Sequence, residues 1–322
     1  METKELYVSA DNDGEFSTIA DALAAAEKYA GMKVVIRIAS GVYKERLEIK
    51  QDNISFIGSG ADTTKITFSD YARETMPDGE KRGTFRTPSV FVDANDFYAC
   101  GITFSNEAGQ GDDVWQALAM YADGDRLVFE KCRFDGFQDT LFTAPLPKKE
   151  KQKNGFVGPK QFAPRTVGRH LYKDCYIAGN IDFIFGGATA YFENCEIFMK
   201  KRDKEKGDKP HGYATAPSTF EGQKYGYVFN HCRFTSDCPR ESCYLGRPWR
   251  NFAKCVIINS ELGAHIRREG WHDWDKKDAW DTMFFAEYNN SGEGAKGERA
   301  PFVKLLTKEQ ADEYTRENVL GF

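Results

Sequence analysis

The sequence predicts an all-β chain wound as a parallel β-helix, and three observations carry that expectation. The chain has 322 residues and holds 25 Phe, 15 Tyr and 29 Gly, a composition of strands and tight turns rather than of a helix bundle. Short strand-like runs alternate with Gly, Asn and Asp turns, without the helices of 10–15 residues that a βαβ fold needs between strands. Six of the eight cysteines are followed two positions on by Ile or Phe, at Cys100, Cys132, Cys175, Cys195, Cys232 and Cys255, and so share a strand face with that residue. The intervals between them are 32, 43, 20, 37 and 23 residues. The shortest suit one coil of a solenoid, and the longer ones a coil with a side loop, or two coils.

The elements follow in chain order. Ser17 to Tyr29 carries a capping-box start at Thr18 and Asp21 and then good helix formers, so it reads as a helix able to cover the open N-terminal end of the solenoid. Val34–Ile38, Ile54–Ile57, Lys65–Phe68 and Ser89–Val92 read as strands. Thr307 to Tyr314, with Thr307 and Gln310 in capping spacing, reads as a short C-terminal helix. The whole of 1–322 is expected to be one domain, interrupted by an insertion at about 145–166. Most cysteines are expected to be inert core residues. One coil would bring Cys175 and Cys195 within disulfide reach, and Cys238 and Cys243 could pair across a short loop.

A formal charge of −5 disfavours a dedicated nucleic-acid binder. No apolar run approaches the roughly 18 residues of a membrane-spanning helix, and Met1-Glu-Thr-Lys lacks the basic and apolar regions of a signal peptide. No Cys/His group has zinc-ligand spacing, so neither metal nor cofactor is expected.

Chemistry concentrates in Gln138-Asp139-Thr-Leu, Gly179-Asn-Ile-Asp182-Phe-Ile-Phe-Gly186 and Leu245-Gly-Arg247-Pro-Trp249, with Gly41-Val-Tyr-Lys-Glu45 and Gln116-Ala beside them. Asp182 stands among Ile181, Phe183, Ile184 and Phe185, where an ionised carboxylate needs a partner. Arg247 offers a fork-shaped donor for it. A buried structural Asp–Arg pair would leave the same trace, Asp139 could be a turn residue, and Trp249 could be ordinary core or a sugar-stacking platform.

In this order the segments resemble those of the pectin methylesterases, carbohydrate esterase family 8. The resemblance runs from Val8-Ser-Ala-Asp-Asn-Asp-Gly to Ala286-Glu-Tyr-Asn-Asn-Ser-Gly, through Thr84-Phe85 and Gly270-Trp271. It implies a single-stranded right-handed parallel β-helix of the pectin-lyase-like kind. It also implies hydrolysis of the C6 methyl esters of homogalacturonan, giving pectate and methanol. By the same resemblance Asp182 is the nucleophile that forms an acyl-enzyme anhydride, and Asp139 is first the acid for departing methanol and then the base for water. Gln116 and Gln138 donate to the oxyanion. Arg247 orients Asp182, Trp249 packs on the sugar, Thr84 contacts substrate, and Phe185 and Trp271 wall the groove.

Within the insertion, Lys148, Lys149, Lys151, Lys153, Lys160 and Arg165 face one acid, Glu150. A solvated loop is the favoured reading, weighed against a basic groove rim for free carboxylates. The mixed-sign run Lys200 to Lys209 reads as a solvated turn. Two other functions remain open, an esterase or thioesterase for another acyl substrate and a non-catalytic pectin-binding β-helix. A pectin substrate implies a secreted, periplasmic or cell-surface protein, and an end-capped solenoid is expected to be monomeric.

Overall fold

The computed structural model describes residues 2–11, 13–203 and 210–322. The charged run expected as a solvated turn lies outside the described residues from 204 to 209. Among the described residues the strands form three parallel sheets of 11, 8 and 7 strands. The chain visits them in that order once per coil, so every neighbour within a sheet comes from the next turn of a right-handed parallel β-helix. The 20-residue interval is one coil, since Tyr176 pairs with Glu196. The longer intervals are single coils too: Leu127 pairs with His170 and Ala190 with Tyr227, the extra residues leaving as side loops.

The corner between the first and second sheets explains the cysteine pattern. Lys131, Asp174, Asn194 and His231 each take a left-handed conformation with φ of 52–55°, and each is followed by a cysteine. The reversed φ turns the chain inward, so Cys132, Cys175, Cys195 and Cys232 stack at the corner just before their strands rather than within them. Their thiols bond to carbonyls, including Cys195 Sγ to Tyr172 O at 3.3 Å and Cys232 Sγ to Phe192 O at 3.4 Å in the preceding coil. Cys175 and Cys195 are therefore free thiols satisfied by backbone, and Cys238 and Cys243 are free as well. Cys100 and Cys255 do not belong to this column. They lie in first-sheet strands, and Ile102 and Ser260 take the corner positions of those coils.

Inside the solenoid, Phe129, Tyr172, Phe192 and Phe229 stack with centroids 5.0, 4.7 and 4.3 Å apart and planes within 6–9°. That is close to the strand spacing, which lets identical faces of successive coils pack without offset. The N-terminal helix spans Ile19–Ala26 and continues as a 3₁₀ turn over Glu27–Tyr29. Thr18 accepts from Asp21 N, and the Glu45 carboxylate takes the amides of Ile19 and Ala20 at 2.9 Å. Glu45 thus satisfies two orphan donors at the helix start, a structural role for the Gly41-to-Glu45 segment. Ile19, Ala22 and Ala26 seal the core at that end.

The far end is closed by loops. Trp271 is 1% exposed and stacks on Phe285 at 4.6 Å, while its Nε1 donates to Glu287, itself paired with Arg299. The C-terminal segment forms two short helices, Lys308–Ala311 and Arg316–Leu320, instead of one, and Ala311, Val319 and Leu320 pack on the outer face of the first sheet. No helix among the described residues is long and apolar enough to cross a membrane.

Candidate active site

The site lies on the outer face of the seven-stranded sheet, where each coil delivers one or two side chains. Thr84 and Phe85 precede strand Val90–Asp93, Gln116 precedes Met120–Asp123, and Gln138 and Asp139 precede Leu141–Thr143. Asp182 and Phe185 lie within Ile181–Gly186, and Arg247 and Trp249 follow Cys243–Gly246. The parallel register stacks these positions side by side, and all of them line one cavity of about 830 Å³.

The floor is a ladder of rings on the outer face. Phe91, Tyr121, Phe142 and Phe185 occupy equivalent positions in four coils, with centroids 4.8, 4.7 and 4.8 Å apart. The next coil places Ala216 in line, and the missing side chain leaves room for Trp249, 5.6 Å from Phe185.

Asp182 escapes its apolar neighbours through a bulge. Ile181 pairs with Tyr213 but Ile184 pairs with Thr215, so three steps on one strand face two on the other. Asp182 takes φ 50° at this irregularity, while Phe183 and Ile184 both turn into the inner core. The bulge aims the carboxylate at the cavity, the kind of backbone strain found where a side chain must be held in place. Glycines flank it for close approach. A Cβ on Gly179 would lie 2.3 Å from the Phe183 Cβ, and one on Gly186 would lie 2.0 Å from Thr143 O.

Arg247 grips Asp182 with both arms, Nε at 2.9 Å and Nη2 at 2.7 Å. Its guanidinium is itself clasped between the Tyr213 and Trp274 rings, at 3.8 and 3.7 Å. A bidentate fork held flat by two aromatic faces fixes the direction of the carboxylate. Asp139 has the opposite surroundings. It is 7% exposed, as Asp182 is, and takes φ 63°, but among the described residues no cation donates to its carboxyl. Burial, and then the charge of Asp182, push its carboxyl well above the ordinary carboxylate range, against a smaller pull from Arg247. Asp139 therefore holds its proton to higher pH than a solvated aspartate. Among the described residues, no protein group bonds the side-chain amides of Gln116 or Gln138, which leaves both free to donate into the cavity.

Of the residues singled out in the sequence, Thr84, Gln116, Gln138, Asp139, Asp182, Phe185, Arg247 and Trp249 come together here. Trp271 does not. It closes the end of the solenoid, and the groove wall is Trp274, three residues on. The loop carrying Trp274 is tied internally: Trp274 N donates to His272 Nδ1, and Asp273 accepts from Asp275 N and Trp280 Nε1. Those bonds engage His272 Nδ1 and both Asp273 oxygens, within the cluster nearest to a metal-binding arrangement among the described residues.

The insertion is a built wall rather than a solvated loop. Phe156 is buried against Phe85 and Trp249, with centroids 5.9 and 6.3 Å away. Arg165 donates to the carbonyls of Pro147, Lys160, Gln161 and Ala163, closing the segment on itself. Lys160 pins it to Asp93 at 2.6 Å and Asp123 at 3.2 Å. Lys151 to Phe156 consequently line the cavity.

A sequence model of the pectinesterase family matches residues 5–148 and 165–321. The chain is 32% identical to pectinesterase 31 of Arabidopsis thaliana, over 98% of this chain and 92% of that one. It is 35% identical to the pectinesterase/pectinesterase inhibitor PPE8B of Prunus persica, over 90% of this chain and 51% of that one. It spans about half the length of that peach relative. Among solved structures, pectin methylesterase PemA of Erwinia chrysanthemi superposes with a TM-score of 0.80 at 30% identity, covering 100% of this chain and 98% of that one. The carrot pectin methylesterase gives 0.82 at 29% identity, over 98% and 92%. With the family pattern matched along nearly its whole length and its strands wound the same way, the chain belongs to the pectinesterase family.

Proposed function

We propose that this chain hydrolyses the C6 methyl esters of homogalacturonan, with Asp182 as nucleophile and Asp139 as acid and then base. The observation that carries the reading is the pairing of two carboxyls in one cavity with opposite surroundings, Asp182 forked by Arg247 and Asp139 buried with no cationic partner of its own. Such a division supplies an ionised attacker beside a protonated donor.

Asp182 adds to the ester carbonyl carbon, and the electron pair moves to the carbonyl oxygen. The Gln116 and Gln138 amides stabilise that oxyanion without drawing charge away from Asp182. When the tetrahedral centre collapses, the C–O bond to methoxide breaks, Asp139 supplies the proton, and methanol leaves an anhydride on Asp182. Asp139, now a carboxylate, takes a proton from water as its oxygen attacks the sugar carbonyl. The bond from the sugar acyl carbon to the Asp182 oxygen then breaks, its electron pair returning to the Asp182 carboxylate, which leaves the free galacturonate carboxyl and the starting enzyme. Trp249 and Trp274 present broad apolar faces suited to a sugar ring. Pectin lies outside the cell, which supports action in a secreted, periplasmic or cell-surface setting, and closure of both solenoid ends supports a monomer.

The test is methanol release from highly methylated pectin, run with wild type and Asp182→Ala and with polymer length followed in parallel. The reading expects methanol from wild type alone with length unchanged. Methanol from Asp182→Ala at the wild-type rate would remove the nucleophile, and shortening of the polymer would replace esterase by chain cleavage.

A further inference from the structure

Arg247 is held from more sides than its fork to Asp182 requires, and one residue reaches every part of the holder. The Tyr213 and Trp274 rings clasp the guanidinium at 3.8 and 3.7 Å, and both jaws rest on His272. Its imidazole meets the Tyr213 ring edge to face at 5.8 Å, and meets the Tyr244 ring, stacked behind Tyr213, at 5.2 Å. Its Nδ1 accepts from the Trp274 amide at 2.8 Å. Its own amide donates at 3.0 Å to the carbonyl of Gly246, the residue before Arg247. Trp274 needs such a hold. It takes φ 56°, as does Asp275 after it, a left-handed conformation that a bulky side chain keeps only where its surroundings fix it.

The bond to Trp274 works in one protonation state. A ring nitrogen that accepts carries a lone pair, so the imidazole is neutral with its proton on Nε2. A second proton would occupy Nδ1, turn it from acceptor to donor, and set two N–H groups against each other. The groups that face the ring are Asp273 and Asp275 on its own loop, Arg247 and Arg267, and the phenols of Tyr213 and Tyr244. Burial holds the imidazole below the ordinary histidine range, the two carboxylates opposing it and the two guanidiniums adding to it. We propose that His272 is a positioning residue for the hydrolysis: its neutral imidazole closes the clasp that keeps Arg247 on Asp182, and its protonation opens it. The clasp is closed above the folded pKa of His272 and is lost as pH falls through it. This rests on the esterase reading above and assigns the acid limit of the reaction to a residue outside the cavity lining.

The test is the pH dependence of kcat/KM for methanol release from highly methylated pectin, measured for wild type, His272→Asn and His272→Leu. His231→Asn, exposed at the corner between the first and second sheets, serves as control. An Asn side chain accepts from the amide two residues on, so His272→Asn restores the acceptor without a proton to gain. Wild type should lose kcat/KM as pH falls through the His272 pKa, which is read independently from the imidazole nitrogen shifts of histidine-labelled enzyme. His272→Asn should keep the neutral-pH value and carry the acid limb to lower pH. His272→Leu should lose roughly five-fold at neutral pH, the scale of one hydrogen bond, and His231→Asn should match wild type throughout. His272→Leu also removes a ring packed on two tyrosines, so the decision lies with His272→Asn, whose limb a purely structural role would not move. An acid limb unmoved in His272→Asn, or His272→Asn as slow as His272→Leu, overturns the positioning role and leaves the esterase standing. No methanol from wild type removes both readings.

Discussion

Asp139 and Asp182 are the same residue type in one cavity, and their surroundings alone divide their parts. Both are buried to the same extent, but Asp182 faces a guanidinium held in a vice of two rings, and Asp139 has no such fork among the described residues. The division has a pH signature. In the proposed acid role Asp139 carries its proton in the free enzyme, and burial raises the pH at which it loses it. The rate constant kcat/KM should therefore fall about tenfold per pH unit above the folded pKa of Asp139. Asp139→Asn should remove that alkaline limb together with roughly 10²–10⁴ of the rate. Methanol release across pH checks both, and a limb that survives in Asp139→Asn belongs to another group. The Asp182–Arg247 pair was legible in the sequence because an aspartate inside an apolar run has to find a cation. The clasp by Tyr213 and Trp274 was not, since neither ring is near Arg247 in the chain. Trp271 and Trp274 show the limit most clearly. They stand three residues apart in one loop, and no local pattern tells which ring faces the core and which the groove.

At the level of elements, the corner and the bulge do most of the positioning. The repeat of cysteines was visible because four corners need the same small, weakly polar side chain behind a left-handed residue. Cys100 and Cys255 copy the spacing by coincidence, and only the register separates them. The bulge at Asp182 left a trace in its flanking glycines, although periodicity alone reads the segment as a plain strand. Gly179→Ala should cost about 1–3 kcal/mol, because the added Cβ meets both the Phe183 side chain and Phe137 O. Urea denaturation would show it as a lower midpoint with an unchanged slope. A midpoint equal to wild type would mean that the corner relaxes freely and that Asp182 is less firmly aimed. The charges of the insertion were plain in the sequence. Its folding was not, because Phe156 and Arg165 act through partners that only the closed coil brings near.

Over the whole molecule, a solenoid is as stable as its ends, since each coil rests only on its neighbours. The N-terminal helix was readable from its cap. The opposite closure, built by Trp271 and Arg299 from separate loops and Glu287 from strand Phe284–Tyr288, had no periodic signal. Trp271→Ala should destabilise the fold by about 3–5 kcal/mol, seen as a drop in melting temperature, while KM for pectin measured well below that temperature stays near wild type. A raised KM with unchanged melting temperature would return Trp271 to the groove.

The route by which side loops leave the coil also carries a consequence for engineering. Residues 145–166 depart after strand Leu141–Thr143 and rejoin before Arg169–Lys173, so the ladder bonds that seat Asp139 and Asp182 never pass through them. Asp139 N is fastened to Ile181 O at 3.0 Å, one turn away. Wall and reaction centre are thus separable parts. A shorter loop grafted across this gap, with a small apolar side chain restored over Phe85, would yield a chimaera with the same reaction centre behind a different groove wall.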